Sequence, residues 1–136
     1  MTAMARAVSF AGAVRLTRLS IRSLGFSRTV GLLDRLPRPF AATTADEASA
    51  ARWANEIEGV SGRPYGGTCL DRAVLLWFLM RQRGLAGIIR IGVAFDDDRL
   101  DGHAWVEVNG TVVNDHQEVA SRFIPFDEDP VEISFR

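Results

Sequence analysis

Over residues 69–83 the chain contains nothing that would break a helix, and Gly66-Gly67-Thr68 ahead of it reads as a loop ending in an N-cap. Residues 73–80 are apolar on nearly every side, the pattern of a helix sunk in a core rather than laid across one. Whatever fold forms must wrap around this helix. Its first turn carries the chain's only cysteine, Cys69. Unpaired backbone N–H groups and the positive end of the helix dipole stabilise an anion at that position. A free cysteine is equally at home as a small core residue, so Cys69 alone does not decide between chemistry and packing.

Arg83-Gly84 gives the helix a basic last turn and a glycine cap. Residues 88–95 then alternate as a strand, with Ile89, Ile91, Val93 and Phe95 on one face and Arg90, Gly92 and Ala94 on the other. Asp96-Asp97-Asp98-Arg99-Leu100-Asp101-Gly102 reads as a polar loop. Its acids lack the closing bidentate glutamate of an EF-hand calcium loop. A second strand, His103-Ala104-Trp105-Val106-Glu107-Val108, leads through Asn109-Gly110 into a third over 111–115; Asn-Gly between alternating apolar runs signals a hairpin. The tail over 123–136, with Phe126, Val131, Ile133 and Phe135, is expected to add another strand.

Upstream, Thr44 and Glu47 form a capping box for a helix over 45–57 that offers Ala48, Ala51, Trp53 and Ile57 for packing. Residues 59–67 are the loop that delivers Cys69. Residues 4–36 alternate apolar residues with arginines at helical spacing, Gly25 and Gly31 breaking them into two helices and Pro37 with Pro39 closing them. Arginines interrupt every candidate apolar run, which excludes a signal peptide, and no run approaches membrane-spanning length. An Arg-rich, acid-poor start also has the character of a transit peptide or membrane-surface helix. An amphipathic helical pair packed on the domain accounts for it more simply.

The chain has 136 residues and a formal net charge of −1, enough for one domain with a real core. The charge is uneven: residues 1–40 carry Arg6, Arg15, Arg18, Arg22, Arg28, Arg35 and Arg38 against the single acid Asp34. The remainder is acidic by about seven charges by formal count. The organisation expected is a basic helical extension over 1–40, a candidate partner-docking element, and a core domain over 41–136. One cysteine excludes an internal disulfide and suits a reducing, cytoplasmic setting.

Cysteine catalysis needs a thiolate, an imidazole to move its proton, and a third group to fix the imidazole's tautomer. Cys69 begins a buried helix, His103 begins a strand, and Asp115 ends the next one. Hairpin register makes the idea testable. A two-residue turn at Asn109-Gly110 pairs Val108 with Thr111, faces His103 with His116, and turns Asp115 to the other side of the sheet. A three-residue turn with Gly110 as a left-handed bulge residue pairs His103 with Asp115. The triad therefore requires the bulged turn or an equivalent irregularity within the strands. Other assignments stay open: His116 as base, Asn114 as orienting group, Glu107 solvated or paired with an arginine, and a zinc site from Cys69, His103, His116 and an acid, whose spacings match no common zinc pattern. The Cys69 N–H would supply one oxyanion donor, with a second not identifiable.

The run Cys69-Leu70-Asp71-Arg72-Ala73, then Arg83-Gly84, Ile91-Gly92-Val93, His103-Ala104-Trp105-Val106-Glu107-Val108, Gly110 and Val112-Val113-Asn114-Asp115 resembles the transglutaminase-like cysteine peptidases of lasso-peptide biosynthesis. These are leader peptidases related to the processing protein of microcin J25. The likeness covers roughly residues 60–116, and more loosely Leu24-Gly25-Phe26 and the helix at 45–57. It implies a papain-like α+β core, the central helix starting at the nucleophile and packed on an antiparallel sheet. Cys69 would be the nucleophile, His103 the general base and then acid, and Asp115 the orienting group, holding Nδ1 so that Nε2 faces the thiol. It implies removal of the leader from a ribosomally made precursor peptide through a thioester, with no metal or organic cofactor and no nucleic acid. About 40 residues precede the core, too few for the leader-binding winged-helix domain of some members. The resemblance thus implies a split form that acts with a separate leader-binding protein and supplies an ATP-dependent cyclase. The same triad would serve acyl transfer to an amine, and the same fold a non-catalytic binding or assembly module.

Overall fold

The computed structural model describes residues 3–37, 47–61 and 68–125. Within them lie α1 (Ala3–Leu24), α2 (Phe26–Arg35), α3 (Glu47–Ser61), α4 (Cys69–Gln82), β1 (Ile88–Asp96), β2 (Arg99–Val108), β3 (Thr111–Val112), α5 (Val119–Arg122) and β4 (Ile124–Pro125). The strands form one antiparallel sheet in the order β3-β2-β1-β4, so the fold is α+β as expected. The Thr44 capping box, residues 62–67 of the loop before Cys69, and the apolar tail beyond 125 lie outside the described residues.

The central helix starts where the sequence places it. The Thr68 Oγ1 accepts the Asp71 N–H at 3.2 Å, and the buried Asp71 carboxylate accepts the Thr68 N–H at 2.9 Å. This reciprocal capping box uses an aspartate where glutamate is usual, and fixes Cys69 as the first helical residue. At the far end Gly84 takes φ 75°, and the Leu85 N–H reaches back to the Met80 carbonyl at 2.9 Å, a Schellman closure.

Helix α4 fills the middle of the larger core. Ala73, Val74, Leu76 and Met80 pack among Val14 of α1, Val30 of α2, Ile57 of α3, and Ala104, Val106 and Val108 of β2. The basic helices α1 and α2 thus bury side chains in the same core as α4. Asp34, the acid among the arginines, pairs with Arg81 of α4. Gly25, at φ 88°, separates α1 from α2, but Gly31 does not act as the expected break and lies within α2. One glycine costs a helix only about 1 kcal/mol, which burial of neighbouring Thr29 and Val30 offsets. Leu36 is extended, as a residue before proline must be. Among the described residues, no helix is long and apolar enough to cross a membrane.

The first hairpin is tighter than the sequence suggests, and the second takes the tighter of its two possible turns. Residues 96–102 are not a loop: Asp97 and Asp98 take φ 46° and 66°, Asp96 pairs with Arg99, and β2 is already running four residues before His103. Two positive φ angles make a turn whose twist suits the flanking strands, and aspartate tolerates them better than most residues. At the second hairpin Asn109 and Gly110 take φ 51° and 80°, and Val108 pairs with Thr111. This is the two-residue turn, so the three-residue bulged turn is not how the chain solves the register.

Candidate active site

His103 and Asp115 nevertheless meet. The His103 Nε2 lies 2.5 Å from Asp115 Oδ2, with both side chains about one-quarter exposed. Regular pairing would set Asp115 opposite Ala104, on the sheet face covered by α4 and away from the His103 ring. The ladder instead ends early, since β3 is only Thr111–Val112. The Val113 N–H still donates to the Val106 carbonyl at 3.0 Å, but the Val106 N–H goes to the side-chain Oδ1 of Asn114 at 2.8 Å. The irregularity the triad needs is therefore inside the strand pair, just after β3.

The nitrogen engaged is Nε2, not the Nδ1 that the resemblance implies. A carboxylate arriving from beyond the end of the ladder meets the tip of the ring rather than the nitrogen beside Cβ. Nδ1 is left as the nitrogen available for proton transfer. The ring is held by stacking against Phe123 (centroids 5.0 Å apart) and Trp105 (6.1 Å). Trp105 is fully buried and donates its indole N–H to Glu107 Oε2 at 2.7 Å; the same oxygen lies 3.7 Å from Arg90 Nε. Glu107 thus pairs with an arginine and anchors the indole on which His103 rests.

Gly92 stands opposite His103 in β1 and makes this stack possible. A Cβ there would lie 3.0 Å from both the Ile124 carbonyl oxygen and Trp105 Cη2, and 3.1 Å from Phe123 Cβ. We expect Gly92→Ala to destabilise the fold by about 1–3 kcal/mol, the usual cost of overpacking, as a lower urea midpoint with an unchanged slope.

Burial pushes the Asp115 carboxyl up, but it is outweighed by the His103 side-chain bond, the His116 N–H that donates to Oδ1 at 2.8 Å, and the positive charge of the two histidines. The result is a carboxyl held below its ordinary value. A group depressed in the folded state contributes stability above its unfolded pKa and loses it as pH falls through the folded one. Acid unfolding of the native protein should therefore include a loss beginning in the ordinary carboxylate range, and Asp115→Asn should remove that part. Thermal midpoints over the acid range for the two proteins check this.

Cys69 is half-buried in the shell of the larger core, at the start of the helix that covers the face bearing Ala104, Val106 and Val108. His103 stacks on the opposite face, with the smaller cluster of Trp105, Val112, Val119 and Phe123. Among the described residues no hydrogen bond joins Cys69 to His103 or Asp115. Residues 113–116 nevertheless bridge the two sides. They line a cavity of about 290 Å³ with Arg72 and Leu76 of α4, and Asp115 and His116 also line a second cavity bordered by His103 and Phe123. Arg72 is one helical turn beyond Cys69, so this margin of the sheet lies close to the helix start. In that first turn the Asp71 N–H goes to Thr68 Oγ1 and the Arg72 N–H to the Thr68 carbonyl. The Cys69 N–H has no such partner among the described residues.

His116 is exposed on the same segment and donates its backbone N–H to Asp115. No group of three or more His, Cys, Asp and Glu residues suited to a metal ion occurs among the described residues. Sequence reasoning overlooked Gln117, whose Nε2 donates to the Val112 carbonyl at 2.7 Å while its Oε1 accepts the Val112 N–H at 3.4 Å. Two side-chain amides just after a short strand, able to stand in for backbone partners, were the available signal.

Against known protein families, residues 13–126 match a family model described as the transglutaminase-like superfamily. No curated protein and no solved structure matches the chain.

Proposed function

This chain belongs to the transglutaminase-like superfamily, and from that membership we propose that it is a cysteine peptidase removing the leader from a precursor peptide in lasso-peptide maturation. The observation that carries the catalytic part is the His103–Asp115 bond, reached by an irregular strand end although the hairpin register opposes it. The substrate class rests on the resemblance of residues 60–116 to leader peptidases.

In this reading Cys69 Sγ attacks the scissile carbonyl, its proton passes to Nδ1 of His103, and charge developing on the oxygen faces the Cys69 N–H. The C–N bond breaks as His103 returns that proton to the departing amine, the new N-terminus of the core peptide. Water then attacks the thioester, giving a proton to Nδ1. The C–S bond breaks as that proton passes to the sulfur, and the leader leaves as a carboxylate, its remaining proton going to solvent. Asp115 holds the Nε2 proton throughout and so keeps Nδ1 an acceptor. His103 stacks on the sheet face opposite the one α4 covers, so in this reading the ring must come round the sheet margin at residues 113–116 to reach Cys69 when substrate binds.

A separate leader-binding protein would deliver the precursor and raise its effective concentration at the site. The basic helices α1 and α2, where Leu16 and Leu19 are 67% and 62% exposed beside arginines, are the docking surface in this reading. The test is incubation with a precursor peptide and its leader-binding protein, with products identified by mass spectrometry. Free leader acid and an amine-terminated core peptide are expected. An adduct joining the leader carbonyl to an added amine would move the assignment to acyl transfer. No turnover of either kind would contradict enzyme activity on this substrate.

A further inference from the structure

The hairpin register carries an inference about a residue with no part in the chemistry itself. Val108 pairs with Thr111 and Glu107 with Val112, so continuing the ladder would next pair Val106 with Val113 and exchange two backbone hydrogen bonds. One of the two is made, from the Val113 N–H to the Val106 carbonyl. In place of the other, Asn114 Oδ1 accepts the Val106 N–H at 2.8 Å, taking the position owed to the Val113 carbonyl. Because Val106 is fully buried, its N–H must find an acceptor. An acceptor supplied by a side chain one residue later lets the backbone leave the sheet at this point. Regular pairing would keep it there and send Asp115 to the α4 face.

We propose that Asn114 is the positioning residue of the site: its amide replaces one rung of the ladder and so turns Asp115 onto the face where the His103 ring lies. Gln117 secures the far side, its amide paired with both backbone groups of Val112, so the two amides bracket Asp115. The arrangement has a discrete alternative. If Asn114 loses its oxygen, the Val113 carbonyl is the acceptor that the ladder register offers Val106, and resuming the ladder withdraws Asp115 from His103.

The inference rests on Asp115 being the group that orients His103, and its test does not depend on turnover. The chain has two histidines, so ¹⁵N spectra of the imidazoles are easily assigned, with His116 as internal reference. With the rings neutral, the native protein should show His103 locked as the Nε2–H tautomer, and Asp115→Asn should show what its release looks like. Asn114→Ala should give the released pattern. Asn114→Asp, which keeps an oxygen acceptor at the same reach, should restore the locked one. Should Asn114→Ala fail to fold, Asn114→Gln decides: its oxygen is displaced by one methylene, and a partly released tautomer is expected. A folded Asn114→Ala, or in its absence a folded Asn114→Gln, with His103 fully locked would overturn the proposal. So would an Asn114→Asp protein with His103 released. In precursor cleavage Asn114→Ala should lose about 10²-fold in kcat, with Asn114→Asp recovering most of it, the low end of the range for positioned acid–base groups. If the native protein cleaves nothing while the tautomers behave as stated, the substrate assignment fails and the positioning role stands.

Discussion

Cys69→Ala is expected to abolish leader removal, lowering kcat by on the order of 10⁴-fold or more, because no other group can form the thioester. Cys69 is the only thiol in the chain, so no neighbouring cysteine can substitute. The substitution removes one sulfur at the first residue of α4. The Thr68–Asp71 capping box does not involve that side chain, so the helix start is retained. A Cys69→Ala protein should therefore unfold at nearly the native temperature and still bind whatever delivers the precursor. The measurement is cleavage by mass spectrometry beside a thermal melt. Activity within a few-fold of native would remove Cys69 from the mechanism, whereas loss of activity with loss of fold would leave it a packing residue.

His103→Ala is expected to lower kcat by about 10²- to 10⁴-fold, the range for loss of a positioned acid–base group. The ring has two attachments of different kinds: the Asp115 bond and the stack on Phe123 and Trp105. Alanine removes both, so a companion that separates them is needed. His103→Phe retains an aromatic ring for the stack but carries no proton. Equal inactivity in the two variants, with the phenylalanine protein closer to native stability, would assign the loss to proton transfer. Recovery of activity in His103→Phe would show that the ring acts as packing.

Much of this site is readable in the sequence because the strongest signals are local. The Gly-Gly-Thr lead, the unbroken apolar helix and Gly84 place Cys69 at a helix start, and Asn-Gly between alternating runs places His103 on one strand of a hairpin and Asp115 just past the end of the other. What escapes is decided between elements. Gly31 reads as a break only if the burial of Thr29 and Val30 is unknown. Asp97-Asp98 reads as a loop because it lacks the glycine that usually marks a two-residue turn. The bulged turn was one of two ways to bring His103 to Asp115. The chain takes the other because Asn109 tolerates a positive φ while Asn114 absorbs the mismatch further along. The choice of Nε2 over Nδ1 depends on the direction from which the carboxylate arrives, which no spacing encodes. The substrate class is legible only through resemblance, since the superfamily shares its residues between hydrolysis and acyl transfer.

The central claim is that Cys69 and His103 work as a pair, although no hydrogen bond joins them among the described residues. The most direct measurement is the rate at which a thiol-reactive peptide electrophile modifies Cys69 over a range of pH, followed by mass spectrometry in the native protein and in His103→Ala. The pair predicts rapid modification in the native protein and a marked loss of that reactivity in His103→Ala. Equal rates in the two proteins at every pH would contradict it.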